Sequence, residues 1–214
     1  MWEAGLVVAS AGNVSRRAGQ DHIVITPTAV PYDAMTAGQV AVVELATGRV
    51  VEGTPSYELP MHLIVYRRRP DIGALVHTHS PFVTTLSVLR RPLPPVIDEM
   101  MRYFGGQVEV TDYAFTGTDA VGENVVAALG DRAGVILASH GNVCAGSTLE
   151  QALNVAVTME SCARVYVQAL TIGEPVRLPD SAIAAGRKLF ELRRQSSAHR
   201  ITTRLPGTEP TDKS

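Results

Sequence analysis

Gly73-Ala74-Leu75-Val76-His77-Thr78-His79-Ser80 is an apolar run that closes on two histidines spaced two apart. It reads as a buried strand. Side chains two apart on a strand leave it on the same face, so both imidazoles can reach one metal ion. A second apolar run, Val135-Ile136-Leu137-Ala138-Ser139, closes on His140. Two buried strands that each end in histidine, in a chain with six histidines, fit a three-histidine site with one coordination position left open. That is the catalytic type of zinc site. The plainer reading of each histidine is a hydrogen-bonded residue at a strand end, and the short spacing alone does not choose between the two.

Working outward, Trp2 to Ser10 reads as the last turns of a helix ending near Gly12, which makes a first helix cut short. Strand-like runs follow at His22–Thr26, Val40–Glu44 and Arg49–Val51, the last two joined by a turn at Ala46-Thr47-Gly48. Ser56 is placed to cap a helix that Pro70 stops. Ser80-Pro81 opens another helix. Gln107–Thr111 alternates like a strand, and Asp119–Leu129 reads as a helix. Asn142–Ala145 reads as a partner strand to the run before His140. A capping box at Ser147-Thr148-Leu149-Glu150 starts the longest helix, expected to end near Thr171. A last amphipathic, basic helix is expected from Asp180 to about Gln195. The strands and helices are mixed without strict βαβ alternation. The expected fold is therefore α/β of the α+β type, with a mostly antiparallel central sheet and helices on both faces. Residues 1–195 read as one domain and 196–214 as a polar, flexible tail.

The chain has 214 residues and a net charge of −2, with acids and bases interspersed. It has the length of one ordinary domain, and no basic stripe points to nucleic acid. Cys144 and Cys162 do not make a disulfide framework and read as buried thiols in a reducing cytoplasm. No uncharged apolar run approaches a membrane span.

Three loops accompany the histidines: Ala11-Gly12-Asn13-Val14-Ser15, Thr26-Pro27-Thr28-Ala29 and Thr54-Pro55-Ser56-Tyr57-Glu58. All are rich in small hydroxyl and amide side chains. Converging, they would hold a phosphate without a lysine; taken singly, each also reads as an ordinary turn or cap. Glu58 is the natural carboxylate, as a cap, a fourth metal ligand or a general base. His62, four residues on, is assigned to packing. Asp98-Glu99 and Asp112 are placed near sheet edges.

Five motifs occur in order: Gly12-Asn13-Val14-Ser15, Ile25-Thr26-Pro27-Thr28-Ala29-Val30-Pro31-Tyr32, Pro55-Ser56-Tyr57-Glu58, Val76-His77-Thr78-His79-Ser80 and His140-Gly141. Together they resemble the class II aldolase/adducin family, most of all its L-fuculose-1-phosphate aldolase branch, from about Gly5 to Pro179. The resemblance implies a three-layer fold and a fourfold-symmetric homotetramer with active sites at subunit interfaces. It implies His77, His79 and His140 as ligands of one Zn2+ per subunit (His₃ sites also accept Mn2+ or Co2+). Glu58 would be the general base that rests on the open zinc position, and Asn13, Thr28, Ala29 and Ser56 the phosphate contacts. The implied reaction cleaves a ketose 1-phosphate, such as L-fuculose 1-phosphate or a related deoxy-pentulose 1-phosphate, to dihydroxyacetone phosphate and a small aldehyde through a metal-stabilised enediolate.

Three positions depart from the branch. Tyr57 stands at a phosphate-contacting serine, Ala29 at a glycine, and Asp98 at the tyrosine that protonates the aldehyde oxygen. Asp98, Tyr103, Tyr113 and Tyr57 are the candidates for the substrate side. A sugar-phosphate epimerase, a decarboxylase, a dehydratase and a non-catalytic adducin-like scaffold are the alternatives within the family.

Overall fold

A computed structural model describes the backbone of residues 1–203 and the side chains through residue 196. Seven strands form one sheet: β1 Asn13–Ala18, β2 His22–Ile25, β3 Ala41–Glu44, β4 Val50–Glu52, β5 Ala74–Thr78, β6 Gly134–Leu137 and β7 Gly141–Gly146. Their order is β4-β3-β2-β1-β5-β7-β6, and every neighbouring pair is antiparallel. Among the described residues six α-helices cover it: α1 Leu59–Arg68, α2 Pro81–Val88, α3 Asp98–Phe104, α4 Asp119–Leu129, α5 Leu149–Ile172 and α6 Asp180–Thr203.

The period of two along β5 divides the core. Leu75 faces one layer with Ile23, Ile25, Val43, Val135 and Val143, beneath Met61 and Val65 of α1 and Val125 and Leu129 of α4. Ala74 and Val76 face the other layer with Ile136 and Cys144, against Leu86 of α2, Phe104 of α3 and Met159 of α5. Both faces of β5 are thus covered, which is why its sequence is continuously apolar rather than alternating. The expected sheet with helices on both faces is what forms.

Several local expectations are corrected. No helix occupies residues 1–12; the segment is a series of turns in which Gly5, Ala9 and Gly12 all take positive φ. Leu6 and Val7 nevertheless reach the core. Residues 13–15, expected in a loop, belong to β1, whose sequence Asn-Val-Ser-Arg-Arg-Ala has no apolar alternation to mark it as a strand. Its inward face carries Asn13 and Ser15, buried polar residues that both pair with His62 of α1. Gln107–Thr111 makes only isolated bridges, Leu93 with Val108 and Val110 with Ile136. Asp98-Glu99 starts α3 rather than marking a sheet edge.

α1 begins at Leu59, with Glu58 rather than Ser56 at its N-cap, and Pro60 sits in its first turn. At α5 the cap is Thr148, whose hydroxyl accepts from the Gln151 N–H, one residue on from the expected box. α6 runs past Gln195 to Thr203, so the boundary placed at 195/196 falls inside a helix. The rest of the expected tail, 204–214, lies outside the described residues. No described helix is long and apolar enough to cross a membrane.

Candidate active site

β5 ends in the His-Thr-His segment, and its register sets what surrounds it. His77 lies opposite Asn13 of β1 on one side and Val143 of β7 on the other. The tight β6–β7 turn carries His140, preceded by Ser139 at φ 55°, and swings its ring toward the same point. Gly141 allows this approach: a Cβ there would overlap the Thr78 carbonyl and lie 3.0 Å from the His79 ring. Gly12 does the same from the other side, at φ +76°, where a Cβ would be 2.5 Å from the His77 carbonyl oxygen.

The three imidazoles form a near-symmetric tripod. Ring centroids are 4.8, 4.8 and 4.7 Å apart, with interplanar angles of 70°, 67° and 67°. One ligand atom from each lies within 4.8 Å of the others. Glu58 completes the cluster, with Oε2 3.1 Å from His77 Nε2 and Oε1 3.4 Å from His140 Nε2.

The donor set fits a cation. His77 Nδ1 is 2.9 Å from the Asn142 carbonyl. A carbonyl only accepts, so in the neutral ring Nδ1 carries the proton and the Nε2 lone pair faces the cluster. His79 Nε2 meets that nitrogen at 3.0 Å. Glu58 Oε1 is buried and has no hydrogen-bond partner. Converging lone pairs beside an orphaned carboxylate oxygen leave a position that a divalent cation satisfies.

Electrostatics agree. Burial works to raise the Glu58 pKa, but His77, His140 and the Asn13 amide outweigh it and hold the carboxyl at about 2. Burial, then the neighbouring imidazoles, pushes His79 and His140 down to about 4. Burial also opposes the charged form of His77, yet the Glu58 carboxylate outweighs it and raises that ring. Near neutral pH the site therefore holds an anionic carboxylate and at least two neutral imidazoles.

Behind Glu58 runs a buried chain that the sequence did not disclose. Asn13 Nδ2 donates to Glu58 Oε2 at 2.7 Å and to Ser56 Oγ at 3.1 Å. Because the carboxylate only accepts, the amide is oriented with Oδ1 toward His62 Nε2, 2.5 Å away. That nitrogen therefore bears the proton. His62 Nδ1 accepts from Ser15 Oγ at 2.7 Å, and Ser15 accepts in turn from the Tyr66 hydroxyl at 2.9 Å. Every donor along Tyr66–Ser15–His62–Asn13 points toward Glu58. His62, assigned to packing, is fully buried and orients the carboxylate's partner; burial holds it neutral, with its pKa pushed down to about 3. Polar residues on an otherwise loop-like β1 were the available signal.

The three loops do converge. Ser56 N–H donates to the Thr26 carbonyl at 3.0 Å, and Pro27 bridges Pro55. This sets the Thr28-Ala29 turn beside Ser56, which in turn touches Asn13. Thr28 and Ala29 are exposed while Asn13 and Ser56 are buried. Ala29 has φ 57°, a left-handed backbone that favours glycine.

The substrate-side candidates separate. Tyr57 stands exposed next to Glu58, its ring 3.1 Å from where a Gly117 Cβ would be. Tyr113 is exposed in the loop before α4, beyond Thr111, whose N–H bonds Ile136 of β6. Asp98 lies exposed at the start of α3, in the layer on the other face of the sheet, and Tyr103 lines a cleft among β7, α3, α5 and α6. Neither Asp98 nor Tyr103 joins the cluster within one chain. Tyr32 was not among the candidates. Its hydroxyl pKa is raised by burial and then by the Glu58 charge, which places a phenol within the field of that carboxylate.

The sequence model of the family described as "Class II Aldolase and Adducin N-terminal domain" matches residues 1–167. The chain is 37% identical over 194 residues to a 5-deoxy-D-ribulose 1-phosphate aldolase of Bacillus thuringiensis, covering 89% of this chain and 90% of that one. It is 36% identical over 193 residues to an L-fuculose phosphate aldolase of Escherichia coli, covering 89% of each. A solved L-fuculose 1-phosphate aldolase superposes with a TM-score of 0.83 at 34% identity, covering 88% of this chain and 90% of that chain.

Proposed function

From the premise that this chain belongs to the class II aldolase and adducin family, and matches carbon–carbon lyases of ketose phosphates over 89% of its length, we propose that it is a zinc-dependent aldolase. Its substrate would be a deoxy-pentulose 1-phosphate or L-fuculose 1-phosphate, released as dihydroxyacetone phosphate and a small aldehyde. The observation that carries this reading is the tripod of His77, His79 and His140 with Glu58 across its open side. A scaffold has no use for such an arrangement.

The three histidines would hold the metal. When bound, it supplies a Lewis acid for the ketose oxygens; Mn2+ and Co2+ are also accepted by such a donor set. Glu58 is the proton carrier. In the cleavage direction Glu58 would take the proton of the C4 hydroxyl as the C3–C4 bond breaks to release the aldehyde, and would return that proton to C3; in condensation it would take the proton from C3 and deliver it to the aldehyde oxygen. The Asn13 amide, locked by His62, keeps one carboxylate oxygen aimed and hydrogen-bonded. Ser56 and the N–H groups of Thr28 and Ala29 would receive the phosphate, whose binding fixes the reacting carbons.

Asn13 spends both amide hydrogens on Ser56 and Glu58. Its contact with phosphate would therefore require exchanging one of them.

Tyr57 is exposed next to Glu58, and Tyr113 and Phe115 are exposed in the segment that leads to Gly117, which meets the Tyr57 ring. This supports a homotetramer whose neighbouring subunit closes the site, and light scattering on the purified protein measures it. The buried free thiols of Cys144 and Cys162 fit a cytoplasmic location.

The test offers several ketose 1-phosphates to the metal-loaded enzyme and follows dihydroxyacetone phosphate release, with Glu58→Gln as control. Release from a deoxy-pentulose or fuculose 1-phosphate, falling at least ~100-fold in the variant at unchanged metal content, is the expected result. Full activity in Glu58→Gln would remove it as the base. Purified protein with no affinity for a divalent cation would favour the scaffold.

A further inference from the structure

At the opposite ends of β5 and β7 from the histidines lies a cleft of 220 Å³. Ala74 and His77 are three residues apart on β5, so on the order of 10 Å of strand separates the two sites. The floor is apolar: Ile72, Ala133, Ala145, Val155 and Phe190, each buried. The walls carry five arginines, Arg69, Arg102, Arg132, Arg193 and Arg194, and a single carboxylate, Asp71.

The pairing of those charges is incomplete. Arg69 spends Nε and Nη2 on Asp71 at 2.7 Å each and Nη1 on the Gly130 carbonyl. Arg194 reaches the same Asp71 at 3.2 Å through Nη1 alone. Arg132 donates to the Ala128 carbonyl at 2.8 Å and to Glu109 at 3.5 Å. The Nε atoms of Arg132 and Arg194 are both buried and have no hydrogen-bond partner. Arg102 and Arg193 form no ion pair or hydrogen bond among the described residues. Arg102 and Arg193 are exposed at the rim and open to a ligand, while the two buried Nε donors have lost their water without replacement. An apolar floor with more guanidiniums than carboxylates around it is a complement to an anion that carries an apolar body.

We propose that this cleft is a second ligand site, distinct from the aldol centre, that binds a small phosphomonoester with a compact apolar group. Asp71 is shared between Arg69 and Arg194, and Glu109 partly neutralises Arg132, which leaves Arg102 and Arg193, and part of the Arg194 charge, for the ligand. A dianionic phosphate answers that excess better than a monocarboxylate, and its oxygens match several guanidinium forks at once. The volume lies below the ~300 Å³ at which pockets for drug-sized ligands begin, so the ligand is small. Phe190 and Val155 give its apolar part a surface that bulk water does not.

Calorimetric titration of the metal-loaded enzyme with phenyl phosphate tests this, comparing the parent with the double variant Arg102→Gln/Arg193→Gln. These two residues make no bond that holds the described fold together, and neither belongs to the aldol site. The parent is expected to show a binding event that the double variant weakens at least tenfold or loses, while cleavage of the ketose phosphate at saturation stays within twofold. A Ser56→Ala variant, altered only at the proposed catalytic phosphate pocket, is expected to retain that event. Inorganic phosphate and benzoate are each expected to bind more weakly than phenyl phosphate. Identical phenyl phosphate binding in the parent and the double variant overturns the proposal, as does loss of the event in Ser56→Ala alone. Benzoate binding as tight as phenyl phosphate overturns the assignment of a dianion.

Discussion

Replacing His62 separates the role of its hydrogen bonds from that of its bulk. In the native protein its two ring nitrogens join Asn13 Oδ1 and Ser15 Oγ, and the ring is fully buried. His62→Leu fills most of the space but leaves Asn13 Oδ1 without a donor and the Ser15 hydroxyl hydrogen without an acceptor, in a site closed to water. At about 1–3 kcal/mol for each buried group left unsatisfied, the loss is about 2–6 kcal/mol. His62→Gln differs, because a glutamine amide sets an N–H donor and a carbonyl acceptor at nearly the spacing of the two ring nitrogens. Oriented with N–H toward Asn13 and the carbonyl toward Ser15, it preserves the direction of the whole chain. Its expected cost is less than half that of leucine, most of it side-chain entropy.

The assay is urea denaturation with metal content measured alongside, followed by turnover. The leucine variant is expected to lose kcat at least tenfold with little change in KM, because Asn13 is no longer held as a donor to Glu58; glutamine restores most of it. Equal losses in the two variants, or a leucine variant as stable as the parent, would refute the directed chain.

The same residue carries a pH signature. Its folded pKa of about 3 lies below the ordinary 6.5. The unfolded chain therefore binds more protons between those values, and stability rises with pH across that window. In the metal-free protein the denaturation midpoint is expected to fall as the pH drops from about 6.5 toward 3. His79 and His140, at about 4, add to the slope with the same sign; His62→Gln removes only its own share.

Two further outcomes concern the backbone around the site and a third the ion pairs at the far end of β5. Gly141→Ala would drive a methyl group into the Thr78 carbonyl and against the His79 ring; the expected result is a loss of about 1–3 kcal/mol and at least tenfold weaker metal retention against a chelator. Ala29→Gly relieves a left-handed alanine worth about 1–2 kcal/mol and gives part of that back as unfolded-chain entropy, so thermal stability is expected to rise slightly, with substrate KM unchanged or lower. Asp71→Asn releases Arg69 and Arg194 together, and limited proteolysis is expected to cut within α6 sooner than in the parent.

Much of the site was legible from short-range pattern. His-x-His on an apolar run states that two rings share a face, because a strand alternates with period two whatever it packs against. The β6–β7 hairpin, α2 with its first-turn proline and the long α5 were likewise local statements. Residues 1–12 misled because an apolar segment free of internal proline resembles a helix, while its positive-φ positions are visible only in the backbone. β1 was missed for the opposite reason. A central strand with a polar face violates the usual pattern, and it does so because that face belongs to the site.

What the amino-acid sequence determined by itself was the list of parts: three imidazoles at strand ends, one carboxylate, and three loops rich in small polar groups. Local periodicity and turn chemistry are enough for that. Only the tertiary structure decided that His140 closes the tripod, that Asn13 is turned toward Glu58, and that His62 is a hydrogen-bonding residue rather than filler. Each of these depends on strand register and on which atom can donate to which, and both are set by contacts between residues 43 or more positions apart.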